Sequence, residues 1–200
     1  PERDELLLTI KTNNGDTKRL LISVSASLPF MCFTERAKSN PLTAPNFCML
    51  LRKHLQNGRI ISVTQPGLER VIRIGIEHRN ELGDMEEKFL VAELMGKHRN
   101  IIFVNAGDTI IDSIKHINES VSSVRTVLPG RPYFIPDIGG KRNPLAPFSY
   151  EEFSSALLSF PGSVFKALYG SYTGISPAES GNLCLRSGTD PDIPSADQPE

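Results

Sequence analysis

Cysteine is scarce in this chain. Cys32, Cys48 and Cys184 are the three in 200 residues, widely spaced and without a CxxC pair. That offers no paired-cysteine zinc site and fits a reducing compartment. An excess of either charge is also missing: 22 basic against 23 acidic residues leave −1 at pH 7. Attraction of nucleic acid through overall charge is therefore excluded, but a local basic surface is not. No run of about 18 apolar residues exists, so no membrane helix is expected. A secretory leader pattern, internal repeats and low-complexity tracts are absent too. The first residue is not methionine, "ELLLTIKT" already reads as mid-strand, and "DPDIPSADQPE" reads as a frayed polar linker. The expectation is a fragment of a longer protein.

What is present is ordinary for a globular chain, at 39% hydrophobic and 22% charged. The length suffices for one cored domain plus a small appendage. "ELLLTIKT" and "KRLLISVS" flank Asn14-Gly15, the favoured pair of a tight hairpin turn. "SLPFMCFTE" reads as a third strand. "RIISVTQPGLERVIRIGIEHR" gives two strands around Gln65–Glu69, and in the second Ile72, Ile74 and Ile76 alternate with Val71, Arg73 and Gly75, predicting one apolar face. "EKFLVAELM" and "NIIFVNA" are two more strands, and "TIIDSIKHI" is a short strand running into a turn or helix. With one inserted helix, the pattern is α+β with a mostly antiparallel sheet.

That helix lies in "NPLTAPNFCMLLRKHLQNGRI". Asn46 is expected to cap it and Gly58 to end it. Phe47, Leu50, Leu51, His54 and Leu55 share one face. Cys48 and His54 are six residues apart and diverge, so they cannot form a nucleophile–base pair within the helix. Cys48 reads as a packed side chain and His54 as a half-buried, hydrogen-bonded one. Arg52 and Lys53 lie on the polar side, a solvated edge or a phosphate contact.

After about Ser120 prolines accumulate. Residues 1–127 read as the α+β domain and 128–148 as a Pro-rich connection. Residues 149–190 read as a helical region and 191–200 as a polar tail. Glu151 and Glu152 suit the first turn of a helix from Tyr150. "SVFKALYG" and "YTGISPAESGNLCLRSG" suggest two helices about a Gly-containing turn, a helix-hairpin-helix whose second N-terminus suits a phosphate.

The stretches "QPGLERVIRI", "APNFCMLLRKHLQNGRI", "ELMGKHRNIIFVN" and "LPGRPY" together resemble the NFACT family. "LYGSYTGISPA" is similar to the start of the family's helix-hairpin-helix. Members include fibronectin-binding protein A homologues and ribosome quality-control factors. The resemblance implies an N-terminal domain similar to that of formamidopyrimidine-DNA glycosylases. The family's first helix and strand would precede Pro1, and its coiled coil and RNA-binding domain would follow Glu200. It implies a cytoplasmic binding factor without catalytic residues, cofactor or metal. Such a factor binds the large ribosomal subunit carrying stalled peptidyl-tRNA and recruits tRNA for template-free C-terminal tailing.

The family's acidic-Arg pair for tRNA matches Glu69-Arg70, with Glu in place of the usual Asp. The chemistry is apt: guanidinium forks to phosphate or guanine, and carboxylate accepts from a base amino group or orients the arginine. Lys97, His98 and Arg99 on a turn between strands, and Arg131 in the Pro-rich segment, are further candidate RNA or ribosome contacts. Lys141 and Arg142 could serve similarly. Few aromatics accompany these charges, so base stacking is not suggested. Two rivals stand. An extracellular fibronectin-binding adhesin rests on family naming alone. A DNA glycosylase acting through the Pro1 amine rests on the Pro1-Glu2 start, but those enzymes continue into a helix where Leu6–Ile10 reads as strand.

Overall fold

A computed structural model describes residues 3–36, 41–95, 99–136 and 140–197. The chain divides into two units, Pro1–Pro66 with Arg70–Pro136, and Gly67–Glu69 with Asp137–Glu200.

In the first unit β1 (Glu5–Lys11), β2 (Thr17–Ser23) and β3 (Phe30–Phe33) form an antiparallel sheet in chain order. The β1–β2 ladder ends at Lys11↔Thr17, leaving Thr12–Asp16 as the loop. Gly15 takes φ +87° and donates to the Thr12 carbonyl at 3.0 Å. Asn14 does not share the positive φ that a two-residue type I′ turn demands of both central residues. The expected tight Asn14-Gly15 hairpin is thus a longer loop that places one glycine in the left-handed region.

Helix α1 spans Asn46–Leu55. Pro45, extended at φ −57° and ψ 151°, occupies the N-cap, and no side chain caps the helix. Asn46 is already helical, which corrects its expected capping role. The C-terminus differs as well. Gln56 leaves the helix in an extended conformation, and Asn57, not Gly58, adopts φ +62°. Asparagine tolerates that region. Gly58 serves close approach instead, since a Cβ there would lie 2.8 Å from Ile76 Cγ2.

Five strands form the second sheet, an antiparallel meander: β4 (Arg59–Thr64), β5 (Val71–Arg79), β6 (Met85–Glu93), β7 (Asn100–Asn105) and β8 (Ile110–Ser113). One face carries Ile74, Ile76, Leu90, Ala92, Ile101 and Phe103, packed with Leu6, Leu20 and Ile22 of the first sheet, with Val24 just after it, and with Phe47 and Leu51 of α1. The opposite face carries Val71, Val91, Ile102, Val104 and Ile110, covered by Ile117, Val127 and Tyr133. The apolar face expected on β5 from Ile72, Ile74 and Ile76 is the one packed into the main core, and the second face is covered as well. Residues 114–136, irregular rather than helical, form a second covering layer, so Val71 is as buried as the isoleucines.

The second unit holds α2 (Tyr150–Leu158), α3 (Val164–Ser171) and α4 (Pro177–Ser187). Ser149 and Ser176 each open a helix through a capping box, with Glu152 and Glu179 returning the bond. Val164, Leu168 and Cys184 form its core, with Phe153, Leu157 and Phe165 against them. Gly174 joins α3 to α4 at φ +76°, and a Cβ there would lie 2.8 Å from Leu68. Among the described residues, no helix is long and apolar enough to cross a membrane.

Candidate functional site

Glu69 and Arg70 are consecutive, yet they belong to different units. Within the helical unit the Thr173 hydroxyl donates to Glu69 Oε1 at 3.1 Å, which fixes one carboxylate oxygen. Arg70 immediately precedes β5 in the first unit. Its carbonyl accepts from Leu94 N–H at 2.8 Å, and its side chain is exposed. The β5–β6 ladder continues at once through Val71↔Glu93. The guanidinium thus departs from ordered backbone at the end of a central strand pair.

The other expected basic contacts separate into groups. Arg52 and Lys53 lie on the exposed side of α1, and Lys53 pairs with Glu81 at 2.9 Å. Both side chains are well hydrated, so that pair is weak and screened. Their position in the last turn suits the helix dipole. Lys97 and His98 lie outside the described residues. Arg99 Nη1 donates to the Ala26 carbonyl at 3.0 Å, holding the loop after β2. Lys141 and Arg142 donate to the carbonyls of Tyr169 and Glu152 at 2.7 and 2.8 Å. Arg131 is exposed.

Two buried polar networks escaped sequence reasoning. In the first, Lys88 Nζ lies 2.6 Å from Glu86 Oε2, 2.8 Å from His78 Nε2 and 3.5 Å from His54 Nδ1. An ammonium has three protons and meets three acceptors. His78 Nδ1 lies 3.1 Å from the Arg79 carbonyl, so it carries the ring proton. His54 connects α1 to this group, as its half-buried face suggested. Burial, then the Lys88 charge, lower its pKa below the usual 6.5. Hydrogen bonds from Lys88 and Asn80 depress the Glu86 carboxyl to about 2.

In the second network Glu93, 3% exposed, receives Arg125 Nη2 on one carboxylate oxygen and the Tyr133 hydroxyl on the other at 3.0 Å. Arg125 Nη1 also donates to the Phe134 carbonyl at 2.6 Å. Burial foremost, then the Glu93 charge, push the Tyr133 phenol upward. This network ties the irregular layer to the end of β6. The cysteines are free, with Cys184 buried, Cys48 half-buried and Cys32 exposed.

Comparison with known proteins places this architecture. A family model described as NFACT N-terminal and middle domains matches residues 1–199. The Rqc2 homolog RqcH of Bacillus subtilis (strain 168) is 37% identical over 190 residues, 94% of this chain and 33% of that protein. The N-terminal domain of fibronectin-binding protein PavA from Streptococcus pneumoniae superposes with a TM-score of 0.79 at 32% identity, covering 94% of this chain and 74% of that one. The N-terminal part of the fibronectin/fibrinogen-binding protein from Streptococcus suis gives 0.82 at 31% identity, covering 96% and 71%. The chain spans about a third of the length of the Bacillus relative. With the family model matched along nearly all of its residues, the chain belongs to the NFACT family.

Proposed function

We propose that this chain is the N-terminal part of a cytoplasmic ribosome quality-control factor. The factor binds the large ribosomal subunit carrying stalled peptidyl-tRNA and recruits tRNA for template-free C-terminal tailing. The observation that carries the reading is the family match over residues 1–199, together with 37% identity to a protein named Rqc2 homolog RqcH. In this reading the first unit has the fold of the N-terminal domain of formamidopyrimidine-DNA glycosylases, and α3 and α4 form a helix-hairpin-helix. Peptide-bond chemistry stays with the ribosome.

Glu69 and Arg70 are the proposed tRNA contact. The Arg70 guanidinium forks to a phosphate or a guanine edge, and the Glu69 carboxylate accepts from a base amino group or orients the arginine. The test is tRNA occupancy on purified complexes of the full-length protein with large subunits. Arg70→Ala should lower occupancy while subunit association largely survives, and Glu69→Asp should be tolerated. Full occupancy with Arg70→Ala would show that the tRNA is held elsewhere.

The names of the structural neighbours favour a second reading, binding of fibronectin. Parallel titration of the protein against immobilised fibronectin and deacylated tRNA separates the two. Saturable binding to fibronectin alone would replace the first reading.

A further inference from the structure

The irregular layer of the first unit contains an open cleft with a mixed polar and apolar lining. Ile117 and Val127 exchange backbone hydrogen bonds at 3.1 and 2.7 Å, closing the loop between them. Residues Leu128–Arg131 then make a type II turn. Pro129 takes the second position, Gly130 the third at φ +80°, and Arg131 N–H returns to the Leu128 carbonyl at 3.2 Å. The turn is fastened to β8, because Gly130 N–H donates to the Ile110 carbonyl and Ile110 N–H to the Arg131 carbonyl, each at 2.8 Å. The Arg131 side chain therefore leaves from a fixed backbone.

Asn118, Glu119, Ser120, Thr126, Leu128 and Arg131 wall an open cleft of about 250 Å³. Asn118 Oδ1 is committed, accepting from Ser120 Oγ at 2.6 Å and Val121 N–H at 3.2 Å, which leaves the amide nitrogen as a donor. Among the described residues, no hydrogen bond or ion pair engages the Glu119 carboxylate, the Thr126 hydroxyl or the Arg131 guanidinium. The cleft thus offers one cation, one anion and neutral donors around a single aliphatic side chain.

A free inorganic anion would meet Glu119 as well as Arg131, and the open, shallow lining encloses too little area to hold a purely apolar ligand. An unpaired ribonucleotide suits every group. Its phosphate matches a guanidinium fork, a base amino group suits a carboxylate, and the ribose hydroxyls suit threonine and asparagine. The volume lies below the roughly 300–1,000 Å³ of drug-sized pockets, which favours one nucleotide over a longer segment.

We propose that this cleft receives one unpaired RNA nucleotide, with its phosphate on Arg131 and its base edge on Glu119. The proposal rests on the tRNA-binding reading above and adds a contact separate in sequence from Glu69-Arg70. The test uses the full-length protein and labelled deacylated tRNA over a salt series, with thermal melting of every variant. Arg131→Gln should weaken binding and flatten the salt dependence by about one phosphate contact. Glu119→Gln and Thr126→Val should each keep the wild-type melting temperature. Glu119→Gln should weaken binding roughly fivefold or more with the salt slope unchanged. Wild-type affinity in both Glu119→Gln and Thr126→Val overturns the cleft assignment, even if Arg131→Gln binds less. If Arg70→Ala then still weakens binding, the broader tRNA reading stands without the cleft. No tRNA binding by the wild-type protein would remove both.

Discussion

Acidification should loosen the attachment of α1 to the sheet, and His54 is the group through which it acts. The groups facing it are Lys88 and Glu86 of β6, His78 of β5 and Lys53 on its own helix. In the folded state His54 Nδ1 accepts from Lys88, so a proton there would set two cations against each other. Burial first, and the Lys88 charge second, lower the folded pKa from 6.5. Above pH 6.5 the ring is neutral in folded and unfolded chains alike, and the contribution is fully present. As the pH falls below 6.5, the unfolded chain takes up the proton first. Stability then declines until the folded-state pKa is passed. The slope contributed by one group is at most about 1.4 kcal/mol per pH unit. Urea unfolding of the first unit between pH 5 and 8, with NMR titration of the His54 ring, measures both quantities. His54→Gln preserves an acceptor for Lys88 but cannot titrate, so its stability should vary less between pH 5 and 6.5. Parallel pH profiles for the variant and the wild type would refute the reasoning, as would a His54 ring titrating at or above 6.5.

Other outcomes follow from the packing. Leu51→Ala removes a side chain only 4% exposed in the main core and should cost about 2–5 kcal/mol by urea unfolding. Arg125→Ala leaves the buried Glu93 carboxylate without its cation and should cost about 3–5 kcal/mol, with faster amide exchange across residues 114–136. Gly174→Ala combines a strained φ with a Cβ crowding Leu68 and should destabilise the helical unit by more than about 1 kcal/mol in thermal melts. Cys48→Ser should leave tRNA affinity nearly unchanged, because the thiol is neither paired nor part of any proposed contact.

Much of the secondary structure was legible from the chain alone because its causes are local. Alternation along residues 71–76 and the spacing of Phe47, Leu50, Leu51, His54 and Leu55 follow from backbone geometry, which repeats every two or every 3.6 residues. Glu151 and Glu152 mark the first turn of α2 in the same local way. Periodicity states which residues share a face, but not which faces are covered. The second face of the five-stranded sheet is buried by residues 114–136, a segment with no period of its own. Turn chemistry was legible only in part. Asn14-Gly15 and Gly58 were correctly placed near chain reversals, but the register at Lys11↔Thr17 and the approach of Ile76 decided which residue took the positive φ. A half-buried, hydrogen-bonded His54 was legible, but the partners within the polar networks were not. Lys88 meets His54 across 34 residues, Arg125 meets Glu93 across 32, and Thr173 meets Glu69 across 104. Charge and polarity can be read from a sequence, but a partner is chosen by the strand pairing and packing that bring distant side chains within hydrogen-bond reach.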